Sequence, residues 1–182
     1  MRVITGSARG RRLKELKGMD TRPTTDQVKE GMFNILQFDI EGRRVLDLFA
    51  GTGQLGIEAL SRGAASAVFV EARKDAAALV RENLALCGME DRSRCVLGDA
   101  LGFLSSLRER FDLIFLDPPY AMTEAYETAT RMIMEEKLLS KDGILLSERI
   151  SEAAPAYAEG LILTDTRVYR DTRVDFLQVK EQ

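Results

Sequence analysis

The 182-residue chain has no histidine, only two cysteines and no long apolar run, and each shortage removes a class of chemistry. Histidine is the commonest metal ligand and the usual general base near neutral pH. Without it, metal-assisted hydrolysis and Ser-His-Asp catalysis are not expected, and no metal site is expected either. Cys87 falls in a helix-like segment and Cys95 in a strand-like one. Both sit amid core patterning and read as small buried hydrophobes rather than a redox pair. No segment approaches the roughly 20 apolar residues that a membrane span needs, and the start lacks an apolar signal region. A cytoplasmic location is expected.

What is present is ordinary for a folded domain: 45% hydrophobic and 30% charged residues, which argues against disorder. The net charge of −3 conceals an asymmetry. Residues 1–22 hold seven bases and two acids, a net of +5, which leaves −8 on the rest. A basic arm on an acidic body presents a local patch to a polyanion instead of a general attraction.

From Arg43 onward, strand-like and helix-like segments alternate. Strands are expected at Val45–Phe49, Ala67–Val70, Arg94–Leu97, Leu113–Leu116 and Gly143–Glu148. Helices are expected at Leu55–Arg62, Asp75–Cys87, Leu101–Arg108 and Glu124–Leu139. The alternation argues for a doubly wound parallel sheet. Two further strand-like runs, Leu161–Tyr169 and Arg173–Val179, follow without an intervening helix and fit a closing antiparallel hairpin. Such a core resembles the Rossmann-like, seven-stranded α/β sheet of the S-adenosylmethionine-dependent methyltransferases.

Residues 1–42 read as a separate extension, with the catalytic domain over 43–182. Arg2–Thr5 and Arg11–Leu16 flank a glycine-containing turn as a small basic hairpin, and Thr24 with Gln27 forms a capping-box start to a helix. Val28, Met32, Ile35 and Leu36 line one side of that helix, and Gly31 inside it costs about 1 kcal/mol relative to alanine. An arm of this kind is expected to be removable at residue 18 without loss of cofactor affinity.

The most informative residues are Asp117-Pro118-Pro119-Tyr120, directly after the apolar run Phe111–Leu116. Two prolines cannot continue a central strand, so the backbone there is extended and stiff. In an open α/β sheet, ligands lie at the carboxyl ends of strands. The Asp117 carboxylate and the Pro118 carbonyl suit the two N–H bonds of a planar exocyclic amine, and Tyr120 suits stacking on its ring, a contact worth about 1–3 kcal/mol. Earlier in the chain, Asp47 precedes a turn in which Gly51, Gly53 and Gly56 satisfy G-x-G-x-x-G, so a dinucleotide site is a competing reading. Glu71, 20 residues after Gly51, suits ribose hydroxyls in either case. Asp99 suits an adenine amine, or simply caps a helix. The acid within the first strand and the Asp-Pro-Pro-Tyr segment both favour methyl transfer over hydride transfer. Neither cysteine is near that segment, which argues against a 5-methylcytosine mechanism. By its chemistry alone, the segment fits adenine N6, cytosine N4 and guanine N2 equally.

These motifs, taken in order, resemble those of amino-group methyltransferases. The opening Arg2-Val3-Ile4-Thr5-Gly6, Arg9-Gly10-Arg11-Arg12-Leu13, the segment from Arg22 to Glu30 and the run Leu55–Ala64 resemble the RsmD family of bacterial 16S ribosomal RNA guanine-N2 methyltransferases. The likeness spans nearly the whole chain. It departs from the family pattern at Thr5, Gly31 and Tyr120, the last standing where some members carry phenylalanine. It implies S-adenosylmethionine as donor, S-adenosylhomocysteine as product and ribosomal RNA, presented on small subunits, as substrate. It also implies Asp47, Phe49, Ala50, Gly51, Gly53, Glu71, Ala72, Asp99 and Ala100 around the cofactor, and Asp117, Pro118, Pro119 and Tyr120 at the transfer site. Arg9, Arg11, Arg12, Lys14 and Arg22 are expected to grip phosphates flanking an extruded base. The alternatives are a DNA adenine-N6 or cytosine-N4 methyltransferase, and a non-catalytic partner subunit with this fold.

Overall fold

Strand β1 (Arg44–Asp47) lies inside a seven-stranded sheet. It pairs in parallel with β2 (Ser66–Glu71) on one side and β4 (Phe111–Leu116) on the other. The computed structural model describes residues 1–16, 24–119, 122–150 and 153–180. Beyond β2 lies β3 (Ser93–Leu97); beyond β4 lie β5 (Leu139–Arg149), β7 (Thr172–Val179) and β6 (Leu161–Tyr169), giving the order β3-β2-β1-β4-β5-β7-β6. The first five strands are parallel, and β7 runs antiparallel to both its neighbours. The expected sheet with its closing hairpin is therefore what forms.

Successive strand residues point to opposite faces, and both faces are covered. Val45, Phe69, Leu113, Phe115 and Phe176 pack under helices α1 (Asp26–Ile35), α2 (Gln54–Ser61) and α3 (Lys74–Cys87). Leu46, Val70, Ile114, Leu116 and Leu145 pack under α4 (Ala100–Ser106) and α5 (Ala125–Glu135). Among the described residues, no helix is long and apolar enough to cross a membrane. Both cysteines are partly buried, and burial pushes both thiols up, which leaves them poor nucleophiles.

Three local readings need correction. The cap of α1 is Thr25, whose hydroxyl accepts from the Val28 amide; Thr24 is buried and donates to Glu148 on β5 instead. Helix α5 ends at Glu135, four residues before the expected Leu139, because Lys137 turns left-handed. The Lys137 amide then bonds the Met134 carbonyl and the Leu138 amide that of Ile133, a Schellman close that releases Leu139 into β5. Strand β5 therefore starts at Leu139, four residues before the expected Gly143, and bulges against β4 between Leu139 and Ile144.

The N-terminal hairpin has a single bridge, Arg2 with Arg12, and it is fastened to the core through buried groups. Fully buried Glu58 of α2 accepts the Ile4 amide at 2.8 Å, the Thr5 amide at 3.0 Å and Arg62 Nε at 2.8 Å. Equally buried Lys29 of α1 donates to the Arg2 carbonyl and lies 3.8 Å from Glu58. Ser61, the last residue of α2, receives the Ala8 amide and donates to the Thr5 carbonyl.

Candidate active site

The crevice at the carboxyl ends of β1 and β4 is the point at which strand order reverses, where open α/β sheets bind ligands. Past Asp47 the Leu48 amide still reaches the Phe115 carbonyl of β4 at 3.1 Å, and the Ala50 amide the Val70 carbonyl of β2 at 2.9 Å. The chain then turns through Gly51 (φ 55°) and Gly53 (φ 79°), both left-handed, into α2. That conformation favours glycine. A Cβ on Gly51 would meet nothing within 4 Å, so this backbone faces open space.

Two acids hold the bend. Asp47, almost fully buried, accepts the Gly56 amide at 3.1 Å; burial pushes its carboxyl up to about 7, with the charge of Glu71 adding to the effect. Glu71 ends β2 and accepts the amides of Gly51 and Arg73, both at 2.9 Å. Phe49 packs partly buried against the apolar layer beneath α4 and α5, Ala50 is buried, and Ala72 is exposed beside Glu71. Asp99 after β3 is exposed and caps α4, taking the Gly102 amide at 2.7 Å, with buried Ala100 next to it.

At the end of β4, Asp117 is partly buried, Pro118 buried and Pro119 exposed. The Pro119 carbonyl accepts the Met122 amide, closing the turn toward α5. The Asp117 carboxyl is pushed well above its ordinary range, first by burial and then by the charges of Glu148 and Asp47. Asp117 lies one step beyond the Leu116–Ser147 pair of β4 and β5, which sets it level with Glu148. Asp47, Asp117 and Glu148 thus meet at the tips of three adjacent strands. Neither Asp47 nor Asp117 has an ion-pair partner among the described residues.

Glu148 has no signature in the sequence, and its donor Thr24 reads there only as a helix cap. Ser147-Glu148-Arg149 reads as an unremarked strand end, and it joins the site because β5 neighbours β4. Tyr120 and Arg22 lie outside the described residues. The sequence-predicted bases lie along α2 and α3. The turn containing Arg9 seats on Ser61, at the far end of α2. Arg11 lies near Cys87 at the far end of α3, and Lys14 pairs with Glu82 at 2.8 Å. Arg9, Arg11 and Arg12 are exposed with no ion-pair partner among the described residues.

A five-stranded parallel sheet with a seventh strand inserted antiparallel before the sixth, and its ligand crevice between β1 and β4, is the architecture of the Rossmann-like methyltransferases. A solved structure described as "Putative methyltransferase yhhF from Escherichia coli" superposes with a TM-score of 0.89 at 29% identity, covering 100% of this chain and 99% of that one. The chain belongs to the RsmD family: the family model "Conserved hypothetical protein 95" matches residues 1–178. It is 40% identical over 178 residues to "Putative rRNA methyltransferase YlbH" of Bacillus subtilis (strain 168), covering 96% of each. It is 35% identical over 163 residues to "Ribosomal RNA small subunit methyltransferase D" of Escherichia coli (strain K12), covering 88% of this chain and 77% of that protein.

Proposed function

We propose that this protein transfers a methyl group from S-adenosylmethionine to the exocyclic N2 amine of a guanine in small-subunit ribosomal RNA, presented on the assembled subunit. The names of its relatives support ribosomal RNA as the substrate class. The observation that carries the chemistry is the adjacency of the Asp117-Pro118 tip to the glycine bend, fixed by the Leu48–Phe115 hydrogen bond.

The residues fit such a donor. The Gly51 backbone is open on its outer side, and Gln54 Oε1 beside it is buried without a partner among the described residues. Asp47 and Asp117 crowd two carboxyl groups into a buried space, where a cationic ligand would favour their ionised forms. Gly51, Gly53, Glu71 and Asp99 would hold it, with the remaining lone pairs of Glu71 suited to ribose hydroxyls. When bound, S-adenosylmethionine supplies an electrophilic methyl on a sulfonium.

The protein then has to position a weak nucleophile. Asp117 and the Pro118 carbonyl accept the two N–H bonds of the amine and direct its lone pair out of the ring plane. Fixing that geometry can account for roughly 7–11 kcal/mol of a barrier. As the nitrogen gains positive charge, these fixed oxygens stabilise it more than they did the free amine. The environment that raises the Asp117 carboxyl also makes it the better proton acceptor once nitrogen has four bonds. The proton passes to Asp117 and from there to solvent, so no histidine is needed.

The test is incubation with methyl-labelled donor and separate pools of small ribosomal subunits, naked 16S RNA and DNA, followed by nucleoside analysis. N2-methylguanosine in the subunit pool is expected; label in DNA alone, or in no pool, overturns the assignment. Asp117→Ala is expected to lower single-turnover rate by about 100-fold or more, with S-adenosylhomocysteine affinity within a few-fold by calorimetry. Equal loss of both would make Asp117 a wall of the donor pocket instead.

A further inference from the structure

The buried side chain of Asn83 on α3 joins two segments distant in sequence. Its Oδ1 accepts the Lys14 amide at 2.8 Å, and its Nδ2 donates to the Lys14 carbonyl at 3.1 Å and to the Thr52 carbonyl at 3.0 Å. Both amide hydrogens are used, and the residue is fully buried. Thr52 is the residue between the two left-handed glycines of the bend. From the other side its hydroxyl contacts Met1 Sδ at 3.4 Å. The bend is therefore suspended between Glu71 of β2, which holds Gly51, and a block made of α3 and the N-terminal segment, which holds Thr52.

We propose that Asn83 is a positioning residue for the donor site, and that residues 1–16 belong to that site as the strap that Asn83 ties to the glycine bend. The inference rests on the reading that this bend holds the donor. It reverses the expectation of a removable arm. Without the Asn83 amide, the Thr52 carbonyl and both main-chain groups of Lys14 lose their partners at a part-buried junction, where unpaired polar groups are costly. The bend then relaxes, and the amides and carbonyls that face the ligand lose their alignment. Because strap and bend share one side chain, anything that shifts one shifts the other, and the coupling is reciprocal.

The experiment is titration of the full-length protein with S-adenosylhomocysteine by calorimetry, well below each variant's melting temperature. Asn83→Ala is expected to weaken binding at least 10-fold and to raise KM for the donor, with kcat at saturating donor within about threefold. Asn83→Asp keeps the acceptor for the Lys14 amide and loses both donors, so it tests the same link with less loss of packing; the same direction is expected. Ile133→Ala, on α5 at the opposite face of the sheet, is the control for destabilisation alone, and its affinity is expected to match the unaltered protein. Wild-type affinity in both Asn83 variants, or equal weakening in Ile133→Ala, overturns the proposal. Failure of the unaltered protein to bind S-adenosylhomocysteine would instead remove the donor-site reading beneath it.

Discussion

Asp47, Asp117 and Glu148 show what single residues contribute and what they cost. A carboxylate buried beside other carboxylates is destabilising while ionised, so the fold favours its protonated form. Asp47 is held protonated to about pH 7 in the folded chain and to its ordinary value of 3.8 when unfolded. Between those values folding takes up a proton. Its stabilising contribution is full below about pH 4 and is lost as pH rises through about 7, by up to roughly 1.4 kcal/mol per pH unit. Asp47→Asn is therefore expected to reduce the fall in urea midpoint between pH 5 and 7, with Asp117 keeping part of the slope. An unchanged slope would mean that Asp47 is solvated in the free protein. Asp47 and Asp117 were legible because each sits next to a glycine or proline signature. Glu148 was not, since only its neighbour across the sheet distinguishes it.

At the scale of elements, helix α1 shows a sequence cost that tertiary contact explains. Gly31 lowers intrinsic helicity, yet a Cβ there would lie 2.3 Å from Tyr169 Oη and 2.5 Å from its ring. The ring at the end of β6 occupies the place a side chain would take. Gly31→Ala, which adds about 1 kcal/mol to an isolated helix, is expected to lower stability here by about 1–2 kcal/mol through overpacking. In a Tyr169→Ala background the same change is expected to stabilise, and a double-mutant cycle in urea reads the coupling. The capping error has a related origin. Thr24 and Thr25 are adjacent hydroxyls, either of which can start a helix, and the Glu148 carboxylate across the fold decides between them. The segment Glu124–Leu139 keeps helical spacing past the real end, and it is the left-handed Lys137 that stops it.

For the whole molecule, the glycine bend and the Arg9 turn sit at opposite ends of helix α2. Helix α2 starts at the glycine bend and ends at Ser61, eight residues later, a rise of about 12 Å. The Arg9 turn rests on that far end. Under the proposed function, the exposed Arg9, Arg11 and Arg12 would contact RNA phosphates flanking the reacting base. Replacing all three with alanine is expected to weaken binding to small subunits and to reduce the slope of log affinity against log salt by about 2 to 3. S-adenosylhomocysteine affinity should stay unchanged. A salt slope equal to that of the unaltered protein would leave these arginines as solvated surface.

The sequence alone determined the alternating core, the closing hairpin and the two strand tips that carry glycine or proline, because each depends on local periodicity or on backbone restrictions that a residue type imposes by itself. Only the tertiary structure decided that β1 and β4 lie side by side, that Glu148 joins their acids, and that the N-terminal hairpin is bound into the body. Those outcomes depend on which buried polar groups find partners across 50 or more residues, as Ile4 does with Glu58 and Lys14 with Asn83. Chain order carries no mark of such pairs before the sheet brings them together.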